Sequence, residues 1–125
     1  MTKEHKTYDE TKLISGGRDP ESNFGIVNPP VYHASTVLSP TLSDWRNRDP
    51  MKDIVYGRMG PPTQKSLENA TALLEGGDKA FATSSGLGAI TVALMSFTKA
   101  GDHVLMTDSA YNPARSFCLN VLAKY

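Results

Sequence analysis

The stretch Lys79-Ala80-Phe81-Ala82-Thr83-Ser84-Ser85-Gly86-Leu87-Gly88-Ala89 decides how the fold is read. It opens as a short buried strand over Lys79 to Ser84, crosses a turn of small residues, and continues into an apolar run from Gly86 to Thr98 that reads as a helix. A strand delivered straight into a helix is one half of an α/β unit. Upstream, Thr63 to Glu75 places Leu67, Ala70, Leu73 and Leu74 on one face at helical spacing, and Gly76-Gly77 stops the run. Downstream, His103 to Thr107 reads as a second strand and Ala114 to Lys124 as a third helix. Such alternation predicts helices packed on a largely parallel sheet. Strands buried on both faces need more neighbours than two, and Tyr125 stands where another strand is due, so the expectation is a fragment of an α/β domain.

The residues before Pro61 have a different character. Gly16-Gly17, Asp19-Pro20, Asn28-Pro29-Pro30, Ser39-Pro40 and Asp49-Pro50 interrupt every candidate element, which predicts an extended arm. Within it Val27 to Val37 can form a short strand, and Leu42 to Arg48 a helical turn capped by Thr41 or Ser43. Ile26, Val31, Tyr32 and Val37 belong to no periodic element, so the arm is expected to lay them on a neighbouring chain. Residues 1–60 are thus read as an arm, and residues 61–125 as the start of the α/β domain.

Bulk properties narrow the function class. The chain has 125 residues, 39% hydrophobic and 21% charged, which fits a globular protein and gives no support for wholesale disorder. Lysine plus arginine and aspartate plus glutamate number 13 each, so no general attraction to nucleic acid or anionic membrane is implied. A single cysteine, Cys118, makes no intrachain disulfide, and no Cys/His pattern predicts a metal site. The polar start MTKEHKTYDETK lacks the apolar region of a signal peptide, which predicts a cytoplasmic protein. Asn69-Ala70-Thr71 matches a glycosylation acceptor, but it falls inside a predicted helix and is set aside.

Three segments carry candidate chemistry. At Ser85-Gly86-Leu87-Gly88 the free N–H groups of a helix start follow a small-residue turn, which makes a seat for phosphate, with Ser85 adding a hydroxyl donor. The same glycines also serve a tight turn for purely steric reasons. Tyr56-Gly57-Arg58 lies in a Gly/Pro-flanked loop where a guanidinium can clasp phosphate or simply face solvent. Tyr111 follows the second predicted strand, at the edge where α/β sheets hold ligands, and its ring can stack on a planar group or plug the core.

Taken together these segments resemble the Cys/Met-metabolism family of pyridoxal 5'-phosphate enzymes of fold type I, from about Lys12 to the end of the chain. The family pattern has a Tyr-x-Arg segment followed by Pro-Thr and Leu-Glu, here Tyr56-Gly57-Arg58, Pro62-Thr63 and Leu67-Glu68. Leu74-Glu75-Gly76, Ser85-Gly86-Leu87, Gly101-Asp102-His103-Val104 and Tyr111 follow in the family's order. The resemblance implies an amino-terminal arm plus the first part of a mostly parallel-sheet cofactor-binding domain. It implies that Ser85 and the amides of Gly86 and Leu87 hold the cofactor phosphate, and that Tyr111 stacks on the pyridine ring. Tyr56 and Arg58 would reach the phosphate of an adjacent subunit in a dimer of dimers, which accounts for the arm. Tyr56 and Tyr111 then count as catalytic, toward a small amino-acid substrate.

Within the family the chain is most similar to the cystathionine β-lyase branch. Thr107 to Cys118 matches that branch's Thr-x-x-Ala-Tyr-x-Pro run with Phe-Cys after it, where γ-type members show Tyr-Gly-Gly-Thr. Gly60-Pro61-Pro62-Thr63 departs from the γ-type Asn-Pro-Thr in the same direction. The implied reaction splits cystathionine into homocysteine, pyruvate and ammonia; γ-lyase, γ-synthase or methionine γ-lyase chemistry is the alternative, or a non-catalytic binding fragment. The family's Schiff-base lysine sits in a Ser-x-Thr-Lys context, and none of Lys3, Lys6, Lys12, Lys52, Lys65, Lys79, Lys99 or Lys124 does. The aspartate that pairs with the pyridinium nitrogen and the arginine for the substrate carboxylate also lie later in family members. This chain by itself is therefore expected to be inactive.

Overall fold

The helix read over Thr63 to Glu75 is present as Pro62–Glu75 in a computed structural model that describes residues 9–50 and 52–125. In chain order the helices are α1 Asp9–Ser15, α2 Leu42–Arg46, α3 Pro62–Glu75, α4 Gly86–Phe97 and α5 Asn112–Asn120, followed by a 3-10 turn over Leu122–Lys124. Contacts divide the chain into two compact units, one ending at Phe81 and the other Ala82–Tyr125.

The first unit is organised around α3. Pro62 begins it where a missing N–H costs nothing. Gly76, at φ 66°, ends it in the left-handed conformation, and the Gly77 N–H donates to the Ala72 carbonyl at 2.9 Å. The short α1, which the sequence pattern did not signal, packs on α3. Gly16-Gly17, read as a break, is where the chain passes α3 closely: Gly17 sits at φ 72° against the Ser66 carbonyl, and Ser66 Oγ donates to the Gly17 carbonyl at 2.6 Å. A second tie runs through Thr63, whose hydroxyl donates to the Pro30 carbonyl at 2.8 Å and accepts from the Tyr32 N–H at 2.9 Å. The turn at Thr41 is the predicted cap. Its Oγ1 accepts from the Asp44 N–H, and the Asp44 carboxylate accepts from the Thr41 N–H, the reciprocal pair of a capping box. The apolar side chains of Ile26, Val31 and Tyr32 remain 57, 70 and 50% exposed on this framework.

In the second unit Ser85 caps α4, which then packs on α5. The third helix starts two residues earlier than Ala114 because Pro113 is accommodated in the first turn, and beyond Asn120 the chain tightens into the 3-10 turn. The Gly101 N–H donates to the Tyr125 carbonyl at 2.9 Å and closes this end of the unit.

Three strand expectations are corrected. Val27 to Val37, Lys79 to Ser84 and His103 to Thr107 form no ladder, and the β-bridges among the described residues are isolated ones, Thr36 with Tyr56 and Tyr56 with Met59. Apolar composition sets a tendency toward strand, but a strand exists only with a partner backbone alongside. The described residues put none there, and Phe81 and Leu105 stand 74 and 91% exposed. For the same reason only Ala72 and Ala114 are buried among the described hydrophobic side chains. Among the described residues no helix is long and apolar enough to cross a membrane.

Candidate functional site

Tyr56, Gly57 and Arg58 occupy a tight reversal in the first unit. Tyr56 bridges to Thr36 on one side and to Met59 on the other, with the Met59 N–H donating to the Tyr56 carbonyl at 2.8 Å. The Gly57 N–H donates to the Ser35 carbonyl at 2.6 Å, and the hydroxyls of Ser35 and Tyr56 share a hydrogen bond at 3.0 Å. Glycine is required here because a Cβ at position 57 would collide with the Ala34 carbonyl. Arg58 leaves the reversal exposed, its guanidinium carbon 5.9 Å from the centre of the Tyr56 ring, with no hydrogen bond to it among the described residues.

Ser85, Gly86 and Leu87 form the start of α4 in the second unit. Ser85 is extended at φ −163° and ψ 158°, and its Oγ accepts from the Gly88 N–H at 3.0 Å. The Thr83 hydroxyl donates to the Ser85 carbonyl at 2.9 Å and fixes the turn from the other side. Once Ser85 Oγ has accepted from Gly88, its own proton is left to donate outward. The amides of Gly86 and Leu87 are the first two of the helix and find no acceptor within it. Nothing stands within 4 Å of where a Gly86 Cβ would be, so the space beside Gly86 is open.

Tyr111 sits immediately before α5 and is 62% exposed, so in this unit it does not plug the core. Its loop is braced by Arg115, whose Nη1 lies 2.6 Å from the Asp108 carboxylate and 3.3 Å from the Asp108 carbonyl.

Tyr56 and Arg58 thus lie together in the first unit, and the Ser85-Gly86-Leu87 turn and Tyr111 both lie in the second. Sequence reasoning missed the residues that hold them. Arg48, passed over as the end of a helical turn, donates to Ser39 Oγ, Val37 O and Val55 O beside the Tyr56 reversal. Arg115, an ordinary helix arginine by pattern, braces Asp108; its i−7 spacing was the available signal.

Comparison with known proteins gives this geometry a context. A "Putative cystathionine beta-lyase" of Saccharomyces cerevisiae is 47% identical over 115 residues, which are 92% of this chain and 33% of that protein. An "L-alanine/L-glutamate racemase" of Wolbachia pipientis wMel is 39% identical over 128 aligned positions, covering 93% of this chain and 32% of that protein. The crystal structure of metB from Corynebacterium glutamicum superposes with a TM-score of 0.83 at 28% identity, over 96% of this chain and 30% of that one. The chain thus spans about a third of the length of the relatives it matches. The superposition supplies the fold class that unpaired strands could not. It is α/β, an amino-terminal arm plus the first part of the mostly parallel-sheet cofactor-binding domain of fold-type I enzymes. With residues 10–125 matched by that family's model, the chain belongs to the Cys/Met metabolism PLP-dependent enzymes, whose cofactor is pyridoxal 5'-phosphate.

Proposed function

We propose that this chain is the amino-terminal portion of a cytoplasmic carbon-sulfur lyase that splits L-cystathionine into homocysteine, pyruvate and ammonia. The observation that carries the cofactor part of the reading is the Ser85-Gly86-Leu87 turn. Two helix-start amides without acceptors, an outward hydroxyl and open space beside Gly86 fit a phosphate dianion, as the chemistry of that group demands. The cysteine-adjacent run Thr107 to Cys118, together with the name of the yeast relative, supports the β-lyase branch.

Bound pyridoxal 5'-phosphate supplies an electron sink for the charge left when a substrate Cα proton departs. The residues of this chain bind and orient. Gly86 N–H, Leu87 N–H and the Ser85 hydroxyl would hold the phosphate, and the exposed ring of Tyr111 would stack on the pyridine. The Tyr111 hydroxyl takes part in proton transfer at the substrate. Tyr56 and Arg58, mounted on the arm, add a phenol and a cation to the phosphate held by an adjacent subunit, so that a homo-oligomer shares its sites. The exposed Ile26, Val31 and Tyr32 are covered in that assembly.

The racemase relative favours a second reading, in which the same site moves the Cα proton of an amino acid and breaks no carbon-sulfur bond. Incubating the full-length protein with L-cystathionine, L-methionine, L-alanine and L-glutamate separates the readings. Pyruvate and homocysteine from cystathionine are expected. D-alanine or D-glutamate without pyruvate from cystathionine would select the racemase, and α-ketobutyrate from methionine a γ-lyase.

A further inference from the structure

We infer that Arg48 is a positioning residue for the Tyr56–Arg58 loop, stapling together the two backbone strips on which that loop is mounted. The inference rests on the reading of Arg58 as a phosphate ligand and adds a residue that touches neither phosphate nor substrate. Arg48 lies just beyond α2 and is partly buried. Its Nε donates to Ser39 Oγ at 2.7 Å, Nη2 to the Val37 carbonyl at 2.7 Å and Nη1 to the Val55 carbonyl at 3.3 Å.

The placement of these acceptors is what matters. Val37 follows Thr36 and Val55 precedes Tyr56, and Thr36 and Tyr56 are the residues joined by the isolated bridge. One guanidinium thus ties the two strips immediately beside the bridge. On the other side the Gly57 N–H to Ser35 carbonyl bond and the Ser35–Tyr56 hydroxyl pair do the same. A single bridge between two strips is a weak register mark, since no ladder continues it on either side. Arg48 supplies the missing constraint. Two carbonyls and a hydroxyl from three separate positions need a planar fork of donors, which lysine's compact ammonium does not present. Arg58, two residues past Tyr56, has no such anchors among the described residues and takes its position from the reversal.

The test uses the full-length protein stripped of cofactor and titrated with pyridoxal 5'-phosphate, read by the absorbance and fluorescence of the bound cofactor. Four proteins form a cycle: the parent, Arg48→Met, Arg58→Ala and the double variant. Arg48→Met is expected to raise the dissociation constant about tenfold on the parent background and less than about twofold once Arg58 is alanine, because its effect passes through Arg58. Arg48→Lys should fall between parent and Arg48→Met. An equal loss on both backgrounds would make Arg48 a general fold residue and overturn the inference. Weakened binding in Arg58→Ala with none in Arg48→Met also overturns it, and leaves the phosphate reading standing. Unchanged affinity in both single variants overturns the phosphate reading and the inference together. Ser39→Ala, which removes one acceptor only, replaces Arg48→Met in the cycle should that variant not fold, with a smaller loss of the same dependence on Arg58.

Discussion

The two units of this chain are held together in opposite ways. Up to Phe81 the important ties join residues far apart in sequence: Ser66 to Gly17, Thr63 to Pro30 and Tyr32, and Tyr56 to Ser35. Among the described residues from Ala82 onward most hydrogen bonds are local, made within a helix, a cap or a turn, with Gly101 to Tyr125 a long-range exception. The first unit is an irregular path fixed by side chains bonding to backbone. The second is a pair of well-formed helices flanked by segments of strand composition that have no ladder. The first unit has the geometry that tertiary bonds give, and the second has the local structure that propensity gives, without a ladder among the described residues.

The largest expected effect tests whether the second unit, with its phosphate seat, is sufficient for chemistry. The 125-residue chain, mixed with pyridoxal 5'-phosphate and reduced with borohydride, should carry no stoichiometric label on a single lysine, since none of its lysines has the family's Ser-x-Thr-Lys setting. The full-length protein should be labelled once, at a lysine outside this chain. Peptide mapping by mass spectrometry reads both, and one fully labelled lysine within residues 1–125 would refute the expectation.

Next in size is Arg58→Ala in the full-length protein. A guanidinium on phosphate makes charge-assisted hydrogen bonds of about 1.5–3 kcal/mol, so cofactor affinity should fall about ten- to a hundredfold. Because Arg58 is exposed and makes no hydrogen bond among the described residues, the melting temperature of the cofactor-free protein should barely move. A fall in apo stability with unchanged affinity would make Arg58 part of the arm's own framework.

What was legible in the sequence follows the same division. α3 and α4 were readable because their ends are marked in the chain: Pro62 and Gly76 start and stop one, and Ser85 starts the other. The Thr41 cap was readable for the same reason. The strands were not, since Phe81 and Leu105 announce burial but cannot say what lies beside them. The arm's course was also illegible. Gly17 and Gly57 look like breakers in a string of letters, yet both mark where backbone passes close to backbone, at Ser66 and at Ala34. The residue types of the site could be read from motifs, whereas their supports belong to no motif: Arg48 depends on contacts that no spacing encodes, and Arg115 on a pair seven residues apart that only the folded turn brings together.

Tyr111 sharpens the comparison from the second unit. A ring stacked on the pyridine contributes about 0.5–1.5 kcal/mol beyond the area it buries, so Tyr111→Ala should weaken cofactor binding while Tyr111→Phe retains most of it. Loss of the hydroxyl should show instead as slower turnover in Tyr111→Phe. With the ring 62% exposed, neither change should cost the 3–5 kcal/mol or so that removing a core aromatic does. Thermal unfolding with and without cofactor checks this, and an equally large loss for Tyr111→Ala in the apo form would restore the core role.

The smallest effect sets two serines against each other. Ser66 Oγ donates to the Gly17 carbonyl 49 residues away, and Ser85 Oγ accepts from the Gly88 N–H three residues away. Each deletion to alanine should cost about 1 kcal/mol, one as a lost tertiary hydrogen bond and the other as a lost helix cap. Equal energies should nevertheless appear in different places. Ser66→Ala releases the arm from α3, so amide exchange should quicken around Gly17 and α1 as well as at position 66, with α4 unchanged. Ser85→Ala should quicken exchange only in the first turn of α4, because the bond it removes closes on its own helix. It should also weaken cofactor binding by more than Ser66→Ala, having taken a donor from the phosphate seat. Exchange measured by mass spectrometry on the full-length protein decides the matter: if Ser66→Ala perturbs only its own turn, the long-range tie carries no load and the contrast between the units fails.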